Sequence, residues 1–232
     1  MIKAVVTGAT GMVGEGVLHE CLKHSDVETV LVITRKPTGM QHPKMRELIH
    51  SDFSDFSSIE SQLEGYNAAY LCMGITSFMT SEENYSHITY DMTLALAEPL
   101  ARLNPDLTLC YVSGAGSDST EEGKLMWTRV KGKTENALLK LPARQAFMVR
   151  AGGIIPTRGL KNAYAFYKIL NPILPLVRKL MPKTICSLEE IGRGMIQATK
   201  SGYQSPILEV LDVVALAKQE GESQHEQQVD NG

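Results

Sequence analysis

Short, nearly continuous apolar runs rich in β-branched residues recur along the chain at 2–7, 27–33, 48–50, 68–72, 107–113 and 146–150. Runs of this length without polar alternation are the pattern of strands covered on both faces. Longer segments of helical period lie between them. Residues 12–24 place Val13, Val17, Leu18, Cys21 and Leu22 on one stripe. Thr80 with Glu83 reads as a capping box opening a helix through Leu103, which Pro99 is expected to kink near its end. A third helix is predicted over 124–141, between the glycine-rich stretch 113–117 and Pro142. This alternation predicts right-handed βαβ crossovers and six parallel strands in an α/β, doubly wound sheet.

Past Arg150 the alternation loosens, and Gly152, Gly153, Pro156, Pro172, Pro175 and Pro182 rule out one continuous helix. Residues 151–200 are expected to form a small C-terminal appendage on the substrate side. Within it, 163–181 carries apolar residues at helical spacing, among them Phe166, Leu170, Leu174 and Val177, and predicts a broken amphipathic hairpin. That hairpin is expected to line a substrate pocket, the alternatives being simple packing on the core or transient membrane contact. Ser187 with Glu190 marks a helix to about Lys200, followed by a late strand over 206–211 and a short helix from Asp212. The tail 219–232 has no apolar period and is expected to be disordered, which leaves 1–218 as one domain.

Composition narrows the class. With 23 basic and 26 acidic residues in 232, and no basic block, nothing favours nucleic acid as a partner. Cys21, Cys72, Cys110 and Cys186 are scattered without a CxxC pair, and the six histidines lack ligand spacing, so free thiols and no metal are expected. No apolar stretch approaches the roughly 20 residues of a bilayer span. The first strand runs straight into a glycine turn with no signal-peptide pattern, and a cytoplasmic location is expected.

The chemistry concentrates at that turn, Thr7-Gly8-Ala9-Thr10-Gly11-Met12-Val13-Gly14. It follows a predicted strand and opens a predicted helix at the first βα junction, the context that makes such a pattern a dinucleotide-binding signal on a Rossmann-type fold. Gly8 permits the tight turn, Gly11 lets backbone approach a pyrophosphate, and Gly14 lets the helix lie close to the strand. Thr10, Met12 and Val13 complete the cradle, with the helix N–H groups facing the phosphates. After the second strand stand Arg35 and Lys36, where an NAD site usually places an acid. Two cations suit a 2′-phosphate, so NADP is the expected cofactor, with NAD the alternative.

The TGxxGxxG turn and the run Val130-Lys131-Gly132-Lys133 resemble the extended and atypical short-chain dehydrogenase/reductases over nearly the whole chain. The sequence is similar to their NAD-dependent epimerase/dehydratase-like branch, near the Tat-interacting oxidoreductase-like proteins. The resemblance implies that Asp52 and Phe53 meet the adenine, and that Cys72, Met73 and Gly74 line the ribose and pyrophosphate. It implies further that Ala151, Gly152, Gly153 and Ile154 approach the nicotinamide. Ser113 matches the family's active-site serine and Lys131 its active-site lysine, which holds the nicotinamide ribose. A homodimer through helices equivalent to the fourth and fifth is the assembly common in the family.

One position departs from the pattern. Four residues before Lys131 the family carries a catalytic tyrosine, and here stands Trp127. An indole N–H donates hydrogen bonds but is no acid near neutral pH. Tyr85, Tyr90 and Tyr164 are the other phenols considered, and nothing in the linear sequence places them at the site. Two functions follow: an NADP-binding oxidoreductase or epimerase/dehydratase-like enzyme acting on a small carbonyl or hydroxyl substrate, or a catalytically weak dinucleotide-binding sensor or interaction module.

Overall fold

The computed structural model describes residues 1–157, 159–162 and 179–219. Its first half alternates strand and helix: β1 (Ile2–Thr7), α1 (Met12–Lys23), β2 (Val27–Thr34), β3 (Met45–Ile49) and β4 (Ala68–Leu71). There follow α2 (Glu82–Ser86), a π-helical turn His87–Asp91, α3 (Met92–Leu103), β5 (Thr108–Gly114), α4 (Met126–Leu138) and β6 (Gln145–Ala151). The remainder comprises β7 (Gly153–Ile155), β8 (Ile185–Ser187), α5 (Leu188–Ser201) and β9 (Ile207–Leu208), after which residues 210–219 are helical.

Seven strands form one parallel sheet in the order β3-β2-β1-β4-β5-β6-β9. The order reverses between β1 and β4, so the crevice where sheets of this kind take ligands lies beyond the C-terminal ends of those strands. The period-2 alternation of side chains divides the core between two faces. Ala4, Val6, Val30, Val32 and Cys110 join Val17 and Leu18 of α1 and Ile191 and Met195 of α5. Val5, Leu31, Ile33, Leu109 and Tyr111 join Leu96 and Leu100 of α3 and Leu138 of α4. Two glycines let α1 and α5 meet closely: a Cβ on Gly192 would lie 2.8 Å from that of Glu20, and one on Gly16 3.0 Å from that of Leu188.

Several boundaries differ from the expectation, each for a local reason. The third strand occupies 45–49 rather than 48–50, where five residues pair with β2. Thr80 does not cap the second helix, because its hydroxyl donates to the Thr76 carbonyl at 2.9 Å. Ser81 caps instead, its oxygen accepting from the Asn84 N–H. The irregularity of that helix is the π-turn at 87–91, and α3 continues through Pro99 to Leu103. The last strand stops at Leu208 because the Asp212 carboxylate takes the Glu209 N–H at 3.0 Å while the Glu209 carbonyl accepts from Val213, which starts a helix.

In the appendage, β7 pairs with β8 in parallel, and α5 opens on the expected capping box of Ser187 and Glu190. The buried Glu15 carboxylate ties this region to α1 by accepting the N–H groups of Lys161 and Asn162 at 2.8 and 2.7 Å. The amphipathic hairpin over 163–181 lies, apart from its last three residues, outside the described residues, and so does the tail beyond Gln219. No helix among the described residues is long and apolar enough to cross a membrane. The four cysteines are free, and no group that would hold a metal occurs among the described residues.

Candidate functional site

The glycine turn sits at the reversal point of the sheet. Gly8 has φ +71°, a left-handed conformation that strains any other residue. A Cβ there would also lie 2.5 Å from the Cys72 carbonyl oxygen at the end of β4. A Cβ on Gly14 would strike the Gly8 carbonyl and lie 2.8 Å from the Ala9 nitrogen. The turn is closed by the Gly11 N–H donating to the Gly8 carbonyl at 2.8 Å. Gly11 is the N-cap of α1 and supplies no side-chain cap, so the first-turn N–H groups face outward from the turn. Thr10 and Gly11 are exposed, and the Thr7 hydroxyl at the start of the turn is buried without a partner among the described residues.

A cavity of about 570 Å³ opens beside the turn, a size suited to a small ligand. Met12 and Val13 of α1 form one wall, and Cys72, Met73, Gly74, Ile75 and Thr76 after β4 form the next. Val112 and Ser113 of β5, Lys131 of α4, and Ala151 and Ile154 around the end of β6 complete it. Residues widely separated in sequence thus converge there, while Gly152 and Gly153 lie just outside. Gly152 serves packing, since a Cβ on it would meet the Thr184 carbonyl.

Ser113 is 5% exposed and its Oγ lies 2.8 Å from that of Ser117. Ser117 donates its own proton to the Gly114 carbonyl, so the bond between the two serines takes its proton from Ser113. The lone pairs of Ser113 are therefore free to accept. Lys131 is half-buried, its Nζ donating to the Val112 carbonyl at 3.3 Å and standing 5.2 Å from the centre of the Tyr111 ring. Burial lowers its pKa to about 8, against the opposing charge of Glu135 one turn along. Glu135 is fully buried and held by Arg150, whose Nη2 and Nε donate to it at 2.6 and 3.1 Å.

Trp127 lies one helical turn before Lys131, and both press on the bare backbone of Gly114. A Cβ there would be 3.3 Å from the Trp127 ring and 3.6 Å from Lys131 Cδ. The phenols considered as substitutes are elsewhere. Tyr85 is 2% exposed, Tyr90 lies under the Lys133 ammonium at 4.2 Å, and Tyr164 is outside the described residues. Tyr111, which the sequence did not single out, is buried beneath Lys131, and burial pushes its phenol far above the ordinary value.

Arg35 and Lys36 are exposed at the C-terminal end of β2, and neither makes an ion pair among the described residues. Asp52 is exposed with its carboxylate accepting the Ser54 N–H at 2.9 Å. The Phe53 side chain packs edge-on against the Phe56 ring in the core, and the residue is 4% exposed. Gly114, Ser117, Glu135 and Arg150 were not among the expected site residues. Only the Gly-rich stretch 113–117 carried a sequence signal for the first two.

Residues 4–124 match the pattern of the NAD dependent epimerase/dehydratase family. Among curated relatives, leucinostatins biosynthesis cluster protein T of Purpureocillium lilacinum is 26% identical over 68% of this chain and 60% of its own length. The mitochondrial protein FMP52 of Debaryomyces hansenii is 24% identical over 68% of this chain and 69% of its own. Protein fmp52-2 of Neosartorya fischeri, also named mitochondrial, is 24% identical over 95% and 98%. The last two names overturn the expected cytoplasmic location. The fold is shared with a short chain dehydrogenase family protein of Francisella tularensis, with a TM-score of 0.61, 16% identity and coverage of 89% and 95%. It is shared also with a UDP-glucuronic acid 4-epimerase of Bacillus cereus solved in complex with NAD, with a TM-score of 0.61, 14% identity and coverage of 92% and 81%. At these identities the structures speak for the fold alone. The family match, spanning more than half of the sequence and containing the glycine turn and the sheet reversal, places the chain in the NAD dependent epimerase/dehydratase family.

Proposed function

We propose that the protein binds a nicotinamide dinucleotide, NADP in preference to NAD, and acts as an oxidoreductase or epimerase/dehydratase-like enzyme on a small carbonyl or hydroxyl substrate. The observation that carries this reading is the convergence of the glycine turn, Ser113 and Lys131 on one cavity at the sheet reversal. The residues fit such a cofactor. Gly8 and Gly14 let the turn close tightly on β4 and on itself, where a Cβ would strike backbone, and the uncapped N-terminus of α1 offers N–H donors and a partial positive charge to a diphosphate. In this reading Gly8, Thr10, Gly11, Met12, Val13 and Gly14 hold the diphosphate and Arg35 and Lys36 the 2′-phosphate. Asp52 and the Phe53 backbone lie toward the adenine, and Cys72, Met73, Gly74, Ala151, Gly152, Gly153 and Ile154 toward the ribose and nicotinamide. Residues 1–218 work as one unit, with 151–200 contributing the substrate side. When bound, the dinucleotide supplies or accepts a hydride. Ser113 accepts a hydrogen bond from a substrate hydroxyl, and the Lys131 ammonium attracts a carbonyl oxygen.

NADP preference is tested at Arg35. A charge-assisted bond to phosphate contributes roughly 1.5–3 kcal/mol, so Arg35→Ala is expected to weaken NADPH binding about ten- to a hundredfold while leaving NADH almost unchanged. Calorimetry with both cofactors reads this directly, and an equal loss for both contradicts it.

A second reading, a dinucleotide sensor with little turnover, is favoured by Trp127 in place of the phenol. The two separate on NADPH oxidation with a panel of aldehydes, ketones and sugar nucleotides. A sensor shows almost no oxidation in the wild type and gains it on Trp127→Tyr, which places a phenol beside the Lys131 charge. An enzyme turns over without that substitution.

A further inference from the structure

The tryptophan leaves a chemical gap that another side chain is placed to fill. Reduction of a carbonyl needs a proton donor in contact with the substrate oxygen, and a positioned donor is worth roughly 10²–10⁴-fold in rate. Ser113 is a poor donor because its proton is committed to Ser117, whose own proton is held by the Gly114 carbonyl. Lys131 shares the cavity wall with Ser113, and Trp127 on the preceding turn of α4 has its ring against Gly114. We propose that Lys131 is itself the acid/base residue of this site, delivering a proton from Nζ to the substrate oxygen. The assignment rests on the dinucleotide reading above and deepens it.

The step balances with a reduced nicotinamide dinucleotide as the reductant. The carbonyl carbon gains a hydride and forms its new C–H bond, and the oxygen is left as an alkoxide. The alkoxide takes a proton from Nζ, breaking an N–H bond, and the resulting amine regains its proton from water. Oxidation runs the same transfers backwards, with the amine as base.

The groups packed about Lys131 favour this role. Glu135 on the same helix has its charge shared with Arg150 of β6, so it opposes the effect of burial on Lys131 without cancelling it. From β5, Tyr111 lies under Nζ, and behind it stands Tyr85 of α2. Cys72, after β4, lines the same cavity. Burial pushes Tyr111, Tyr85 and Cys72 upward, so each stays protonated and uncharged at neutral pH. Lys131, brought down to about 8, keeps an ammonium proton at neutral pH and yields it readily.

The test uses the full chain and two readouts. Competitive acetylation of Lys131 by acetic anhydride, followed by peptide mass spectrometry, is expected to give a titration midpoint near 8 rather than the ordinary 10.5. Glu135→Gln removes the opposing charge and is expected to move that midpoint lower. NADPH oxidation with small aldehydes, led by 4-nitrobenzaldehyde, is expected to slow as pH rises through the same midpoint. Lys131→Arg keeps a cation but holds its proton, so it is expected to lose roughly 10²–10⁴-fold, as much as Lys131→Met. If the lysine only positions the cofactor, Lys131→Arg loses NADPH affinity but keeps its turnover at saturating NADPH, the wild-type rate shows no fall through the midpoint, and the proposal falls. A midpoint at 10.5, or a wild type that oxidises NADPH with none of these aldehydes, overturns it equally. NADPH titration of the same samples separates the two claims, since loss of Lys131 chemistry with intact binding leaves the dinucleotide reading standing.

Discussion

Arg150→Met is expected to destabilise the fold by about 3–5 kcal/mol, the cost of leaving a buried charge without its partner. Glu135 is 0% exposed, and Arg150 reaches it with two nitrogens while also donating to Ser119 at 2.8 Å and Glu209 at 3.2 Å. Methionine keeps most of the arginine stem and none of its donors. The carboxylate of Glu135 would then sit between α4 and β6 in a region of low polarity, and either the charge or the local packing must give way. For a domain of this size the loss corresponds to a fall in Tm of about 6–20 °C. The double variant Arg150→Met with Glu135→Met removes both charges and is expected to recover most of the loss, because an apolar pair of similar volume replaces the ion pair at little net cost. Thermal melting of wild type, single and double variants checks this. A single variant that melts with the wild type would show that solvent reaches Glu135.

That pair also marks what a sequence withholds. The parallel sheet was readable because strands covered on both faces carry unbroken apolar runs, as in Val30-Leu31-Val32-Ile33, and their short length and β-branched residues set them apart from helical runs. The glycine turn was readable because each glycine answers a separate steric demand. By contrast, the meeting of Glu135 with Arg150 depends on the register of α4 over β6, and no local pattern encodes it. The same holds for the Ser113–Ser117 bond, which needs the chain to turn at Gly114 and Gly116. The burial of the Phe53 ring against Phe56 was equally unreadable, since it depends on how the segment after β3 packs on the sheet. The capping of the second helix slipped by one residue because Thr80 and Ser81 are chemically equivalent caps, and the Thr76 carbonyl decided between them.

The location of the protein was not a matter of folding at all. A cytoplasmic location was expected, whereas relatives that match across almost the whole chain are named mitochondrial. Targeting is recognised by receptors, and its signal need not leave a mark on the core or the site.

Gly14→Ala carries the largest expected effect on binding. The added methyl cannot be accommodated by rotating a side chain, because its contacts are backbone atoms of Gly8 and Ala9. The first turn of α1 must move away from β1, and the N–H groups that would hold the diphosphate move with it. Overpacking of this kind costs about 1–3 kcal/mol of stability, which a domain of this size survives, while the displaced donors lose the geometry on which binding depends. A loss of at least about a hundredfold in affinity is expected, equivalent to about 2.7 kcal/mol. Glu98→Ala, at an exposed position of α3 that does not line the cavity, is the matching control.

The most direct test is therefore calorimetric titration of NADPH and NADH into the wild type, Gly14→Ala and Glu98→Ala, with the fold of each variant verified by circular dichroism. Saturable one-site binding by the wild type is expected, tighter for NADPH, retained in Glu98→Ala and weakened at least about a hundredfold in a still-folded Gly14→Ala. A wild type that binds neither cofactor, or a Gly14→Ala variant that binds as tightly as the wild type, would contradict it.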